Sequence, residues 1–174
     1  DRNDSLLLAR LLALGETPVS YVPNKDFRCL RKLGRHYHNV SRMAAEIKTR
    51  MRWILNQGNH RGPLHLDSGS CQRWLLANAE CLDYAAMFSF RQFLRQMETL
   101  EVDKAELVRE MNLIAKRPAL KNAFTRLREV PGFGPVLSFI VMAEIADFAR
   151  FKSGDAIACY TGLTERTNES AGIR

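Results

Sequence analysis

Apolar residues fall into runs of distinct period along the chain. Ser5 to Leu14 holds two leucine-rich clusters, Leu6-Leu7-Leu8-Ala9 and Leu11-Leu12-Ala13-Leu14, closed by Gly15. That density predicts a largely buried helix with a glycine stop. Pro18-Val19-Ser20-Tyr21-Val22-Pro23 follows, and two prolines bracketing β-branched and aromatic residues predict one short strand at a sheet edge. From Leu30 the apolar positions are Leu30, Leu33, Tyr37, Val40, Ala44, Ile47, Met51 and Ile54, in alternating steps of three and four. This four-heptad stripe is the strongest periodic signal in the chain. It predicts a helix from about Lys25 to Leu55, roughly 45 Å long at 1.5 Å per residue. Gly34 lies inside it, and one glycine costs only about 1 kcal/mol against alanine, too little to end the helix.

Asn56 to Gly69 carries Gly58, Gly62, Pro63 and Gly69 among polar residues and reads as a linker. A second heptad run then occupies Phe90, Phe93, Met97, Leu100, Lys104, Leu107, Met111 and Ile114. Lys104 alone breaks the seam, and a single polar residue there can set register or oligomeric state. A bundle closed within one chain explains the run as well as pairing between chains does. Pro118 ends this helix. Leu127-Arg128-Glu129-Val130-Pro131-Gly132-Phe133-Gly134-Pro135-Val136-Leu137 has the form of a helix-hairpin-helix element. Gly132 and Gly134 permit positive φ, and N–H groups at the start of the second helix can meet a phosphate. Such a contact positions DNA without reading it. An ordinary tight αα-turn is the alternative. The second helix, Val136 to Ile145, is apolar enough to demand burial. A short helix through Ala156 to Tyr160 and a polar segment 164–174 complete a mainly α chain.

The chain has 174 residues, 46% of them hydrophobic and 26% charged, enough for one domain or two small ones and inconsistent with overall disorder. Its net charge of +7 is concentrated. Between Lys25 and Arg52 stand nine basic residues, among them Arg28, Arg31, Lys32, Arg35, Arg42 and Lys48, against Asp26 and Glu46 alone, so this segment carries 9 − 2 = +7 and the remainder balances. A localised excess of this kind suits a polyanion, nucleic acid first and a membrane surface second; a merely solvated helix face is equally compatible. No apolar run reaches the roughly 18 residues of a membrane span, and no signal peptide is expected. The four cysteines, at 29, 71, 81 and 159, form no Cys-x-x-Cys pair, and the four histidines have no zinc spacing. A reducing cytoplasm is expected. The ends, Asp-Arg-Asn-Asp and Gly-Ile-Arg, read as those of an interior fragment.

Taken together, Asp1-Arg-Asn-Asp4, Tyr21-Val22-Pro23, Leu30-Arg31 with the basic helix, Pro131-Gly-Phe-Gly-Pro135, Ala143-Glu144-Ile145, Phe151 and Tyr160-Thr-Gly-Leu163 resemble, in order and spacing, the DEDD transposases of the insertion-sequence one-ten family. These are serine recombinases guided by a bridge RNA. The resemblance implies the C-terminal part of a RuvC-like (RNase H-like) α/β domain at residues 1–56, a linker and helical coiled-coil segment at 57–117, and the N-terminal part of a helix-hairpin-helix transposase domain at 118–174. It implies Asp1 and Asp4 as catalytic ligands of Mg²⁺, and Ser170, within Glu169-Ser-Ala-Gly172, as the nucleophile that joins DNA. Divalent cations suit this chemistry because they neutralise the phosphate and prefer carboxylate oxygens. A helix-start pair, with Asp1 capping and Asp4 in the first turn, explains the same aspartates without a metal. The implied partners are DNA, a guide RNA and further copies of the chain, without a membrane, in the cytoplasm at the nucleoid. Nucleic acid is expected on Arg28, Arg31, Lys32, Arg35, Arg42 and Lys48 and on the Gly132–Gly134 turn. The family's earlier Asp and Glu would precede Asp1, and Glu169 and Ala171 replace a usual serine and glycine. The piece alone is therefore not expected to catalyse transposition, and a non-catalytic nucleic-acid-binding module is the alternative.

Overall fold

The computed structural model describes residues 2–17, 20–78 and 80–163. Among these residues the chain is helical, with seven helices and no strand: α1 Arg2–Ala13, α2 Lys25–Gln57, α3 Ser68–Ala77, α4 Tyr84–Ala115, α5 Pro118–Arg128, α6 Pro135–Ile145 and α7 Gly154–Thr161. The mainly α expectation holds. The edge strand does not: Ser20 to Pro23 is irregular, because the described residues provide no sheet to pair with it.

Local chemistry sets the helix starts. The Asn24 side chain accepts from Phe27 N at 3.0 Å and opens α2. Asp83 does the same for α4 through Ala86 N at 2.8 Å. Each satisfies one of the four N–H groups that a helix start leaves unpaired. Pro118 stops α4 and begins α5 at its first position, where a missing N–H costs nothing.

The two long helices run antiparallel. Val40, Ala44, Ile47, Met51 and Ile54 of α2 meet Phe90, Leu94, Met97 and Leu100 of α4 in one core cluster, while Leu30 meets Met111, Ile114 and Ala115 in the other. The α2 stripe read from sequence is this buried seam. Lys104, the polar break in the α4 run, holds its ammonium 5.6 Å from the centre of the Tyr37 ring, so a partner within the same chain meets it by cation–π attraction.

Sequence reading missed α3, placing its first residues in a linker. Asp67 accepts from Ser70 N at 2.8 Å, and Glu101 of α4 accepts from Ser68 N at 3.0 Å and from the Ser68 hydroxyl. The Ser70 backbone hydrogen bond, and after it the Ser70 side chain, hold Asp67 below its ordinary carboxylate value. Cys71 and Leu75 of α3 enter the first core, and burial pushes the Cys71 thiol up to about 11. Phe139, Met142 and Ala143 of α6 fill the second core, as that helix's composition required.

The α1 expectation is corrected. Leu6, Leu7, Leu8, Leu12 and Leu14 are 51–70% exposed, and α1 packs on none of the other helices.

Candidate nucleic-acid interface

With one face of α2 buried against α4, the opposite face carries Arg28, Lys32, Arg35, Asn39, Arg42, Glu46, Arg50, Trp53 and Gln57 at steps of three and four. All nine are exposed. At 1.5 Å per residue the stripe is about 44 Å long. It carries five basic residues and one acidic one, Glu46, which lies 3.7 Å from Arg42 in an i,i+4 pair. Lys48, also expected to contact nucleic acid, is half-buried and off the stripe: it stands two residues from Glu46 and from Arg50, on another face of the helix, and acts on the Cys71 thiol of α3.

Arg31 departs from its neighbours. It is turned toward α6, where Nε donates to Ala143 O at 3.0 Å and Nη2 donates to Glu144 O. The end of α6 can be accounted for in full. Met142 O accepts from Ala146 N at 3.0 Å, Ala143 O and Glu144 O accept from Arg31, and Ile145 O accepts from Asp147 N at 2.8 Å. The four carbonyls that a helix end leaves unpaired are thus all satisfied. Glu144 also binds Arg35 through two contacts, 3.1 and 3.5 Å, and this pairing raises the Arg35 guanidinium above its ordinary value. Arg35 nevertheless remains 68% exposed.

Beside this cluster, the Arg150 guanidinium sits 4.3 Å from the centre of the Tyr21 ring, 4.1 Å from Phe151 and 4.4 Å from Tyr160. Its Nε and Nη2 are buried without a hydrogen-bond partner, so the rings supply its attraction. The pieces of sequence that carried the family resemblance therefore meet in space: Tyr21 with Tyr160 and Phe151, and Arg31 with Ala143 and Glu144.

Between α5 and α6, Phe133 N bonds Val130 O at 3.0 Å and Gly132 has φ +86°. Proline then glycine at the two central positions is the type II turn pattern, and the positive φ requires the glycine. The Arg128 guanidinium donates to Phe133 O at 2.6 Å and braces the turn. Pro131 and Gly132 are exposed, and Gly134 caps α6 without a side chain. The expectation of an exposed glycine turn between two helices holds.

Asp4 is exposed on α1. Asp1 and Ser170 lie outside the described residues. Among the described residues no group of three or more His, Cys, Asp or Glu that could hold a metal ion is found. No described helix is long and apolar enough to cross a membrane.

Sequence reading identified the basic segment but not its division into an outward stripe and an inward cap. It also passed over Arg150 and Trp53. Trp53 has a sequence signal, falling three residues after Arg50 on the stripe.

Residues 124–174 match the family model described as Transposase IS116/IS110/IS902 family. No curated protein and no solved structure matches the chain. The match supports the transposase family. It includes α6 and α7, so the segment that resembles transposases is the one to which Arg31 and Arg35 are bonded.

Proposed function

We propose that the chain is the nucleic-acid-handling part of a DNA transposase, with the outward basic stripe of α2 tracking a phosphate backbone and the Val130–Gly134 turn offering a second backbone contact. The observation that carries this reading is the transposase-family match over residues 124–174, in a segment held to the basic helix by Arg31 and Arg35. Within this reading, DNA recombination, a guide RNA and assembly of several copies belong to the whole protein. The roles of Asp1, Asp4 and Ser170 in strand transfer, with Mg²⁺ as cofactor, are part of the same proposal, and the metal would need carboxylates beyond those described here.

The test is salt-dependent binding of duplex DNA to the 174-residue chain. Neutralising phosphates releases counterions, so log K falls with log salt by about 0.9 per contact. Replacing Arg28, Lys32 and Arg42 together by alanine is expected to weaken binding and make that slope shallower by about 2–3. An unchanged slope would remove the stripe from the interface. A non-catalytic module is the second reading, favoured by the glycine turn braced at Arg128, a contact surface with no chemistry of its own. It predicts that Asp4→Asn and Ser170→Ala in the full-length protein leave recombination unchanged; loss of recombination with DNA binding intact supports the catalytic reading.

A further inference from the structure

At the far end of the basic stripe the surface changes character. Trp53 is 61% exposed, although an indole buries a large apolar area when it can and normally takes the opportunity. Arg50 and Gln57 stand three residues before it and four after it, on the same face of α2. Beside the indole runs a shallow groove floored by Ile54 and Phe93, with Ser89 and Asp83 on its α4 side. Asp83 is the one acid there, and its carboxylate is turned to the α4 N-terminus by its bond to Ala86 N. The patch thus combines a flat aromatic face, an apolar floor and a guanidinium, at the end of a line of positive charge.

We infer that Trp53 is a stacking platform for an unpaired nucleobase, with Arg50 holding the adjoining phosphate. The inference rests on the reading of the α2 stripe as a nucleic-acid track and adds the class of ligand: single-stranded or unpaired nucleotides in preference to duplex. Every base has a π face, so stacking on an exposed indole is tolerant of sequence. A base inside a duplex has both faces occupied by its neighbours and cannot use the platform without being unstacked. Phosphate contacts along the stripe serve either form equally.

The experiment is fluorescence anisotropy of labelled single-stranded oligo-dT, oligo-rU and a duplex of equal length, titrated with the 174-residue chain, its Trp53→Ala and Trp53→Phe variants and an Arg50→Ala variant. Trp53→Ala is expected to weaken single-strand binding about ten-fold or more, leave duplex binding within two-fold and leave the salt slope unchanged, because no phosphate contact is lost. Trp53→Phe, which keeps an aromatic face, is expected to recover most of the affinity, and Arg50→Ala to make the slope shallower by about one. Comparison of dT with rU separates DNA from RNA as the source of the base. Equal effects of Trp53→Ala on single strand and duplex, or none on either, overturn the platform while leaving the basic stripe in place. Trp53-dependent self-association in sedimentation, with nucleic-acid affinity unmoved, overturns it in favour of a protein contact. If the unaltered chain binds none of the three ligands, both the stripe reading and the platform fall. Circular dichroism of each variant checks that the fold is retained.

Discussion

Arg31 and Arg35 lie one helical turn apart on α2 and reach the same helix end, yet their environments give them different work. The Arg31 side chain is 17% exposed and is the donor for two carbonyls of α6 that lack any other strong donor. Arg31→Ala therefore strips these carbonyls of their charged donor and is expected to cost about 1.5–3 kcal/mol in urea unfolding, the range of hydrogen bonds to charged groups. Arg35→Ala breaks a solvent-exposed pair and is expected to change stability far less. Equal effects would contradict this division. Ala146, next along, sits at φ +63° and ψ −70° with Asp147 N bonded to Ile145 O. That is a strained three-residue turn for any residue with a Cβ. Ala146→Gly is expected to stabilise the chain by about 1 kcal/mol, strain relief exceeding the added freedom of the unfolded glycine; destabilisation in the same urea assay would show the strain to be absent.

At the scale of elements, Gly34 shows what a pattern along the chain conceals. Read alone, it is a weak point in a helix. In the fold, a Cβ built there would lie 3.3 Å from Cγ1 of Ile140, so the glycine is where α6 lies against α2. Alanine would gain helix propensity and lose packing in comparable amounts, whereas Gly34→Val adds methyl groups that have nowhere to go. It is expected to destabilise by about 1–3 kcal/mol through overpacking, read as a lower urea midpoint at unchanged slope. A midpoint within error of the unaltered chain would mean that α6 stands off α2. The extent of α2, the end of α4 at Pro118 and the α5–α6 turn were legible because period and the placement of proline and glycine are local signals, whereas the start of α4 at Tyr84 lies six residues before the first position of its heptad run. The α3 helix was not legible, since its cap at Asp67 lies among glycines that resemble a linker, and Cys71, Trp74 and Leu75 are too few for a periodic signal. Nor was the inward role of Arg31, whose acceptors lie 112 and 113 residues further along the chain.

For the molecule as a whole, α2 and α4 are the common walls of both core clusters, and α3 closes one end while α5 and α6 close the other. The Tyr21 and Arg150 contact ties the approach to α2 to the segment that precedes α7. Loss of either cluster exposes the same two helices, so the bundle is expected to open as one cooperative unit. The α1 helix stands outside that arrangement. It has 12 residues and, among the described residues, no helix packed on it, and isolated helices of this length are marginal in water. Amide exchange on the dilute chain is therefore expected to show two levels: protection in the buried stretches of α2 and α4 approaching that of global unfolding, and protection across α1 lower by several orders of magnitude. Fast exchange in α1 and slow exchange in the bundle would establish that its leucine face gains nothing from the folded remainder. Protection of α1 equal to that of α2 would overturn this account, and if that protection fell on further dilution, its cover would come from another copy of the chain.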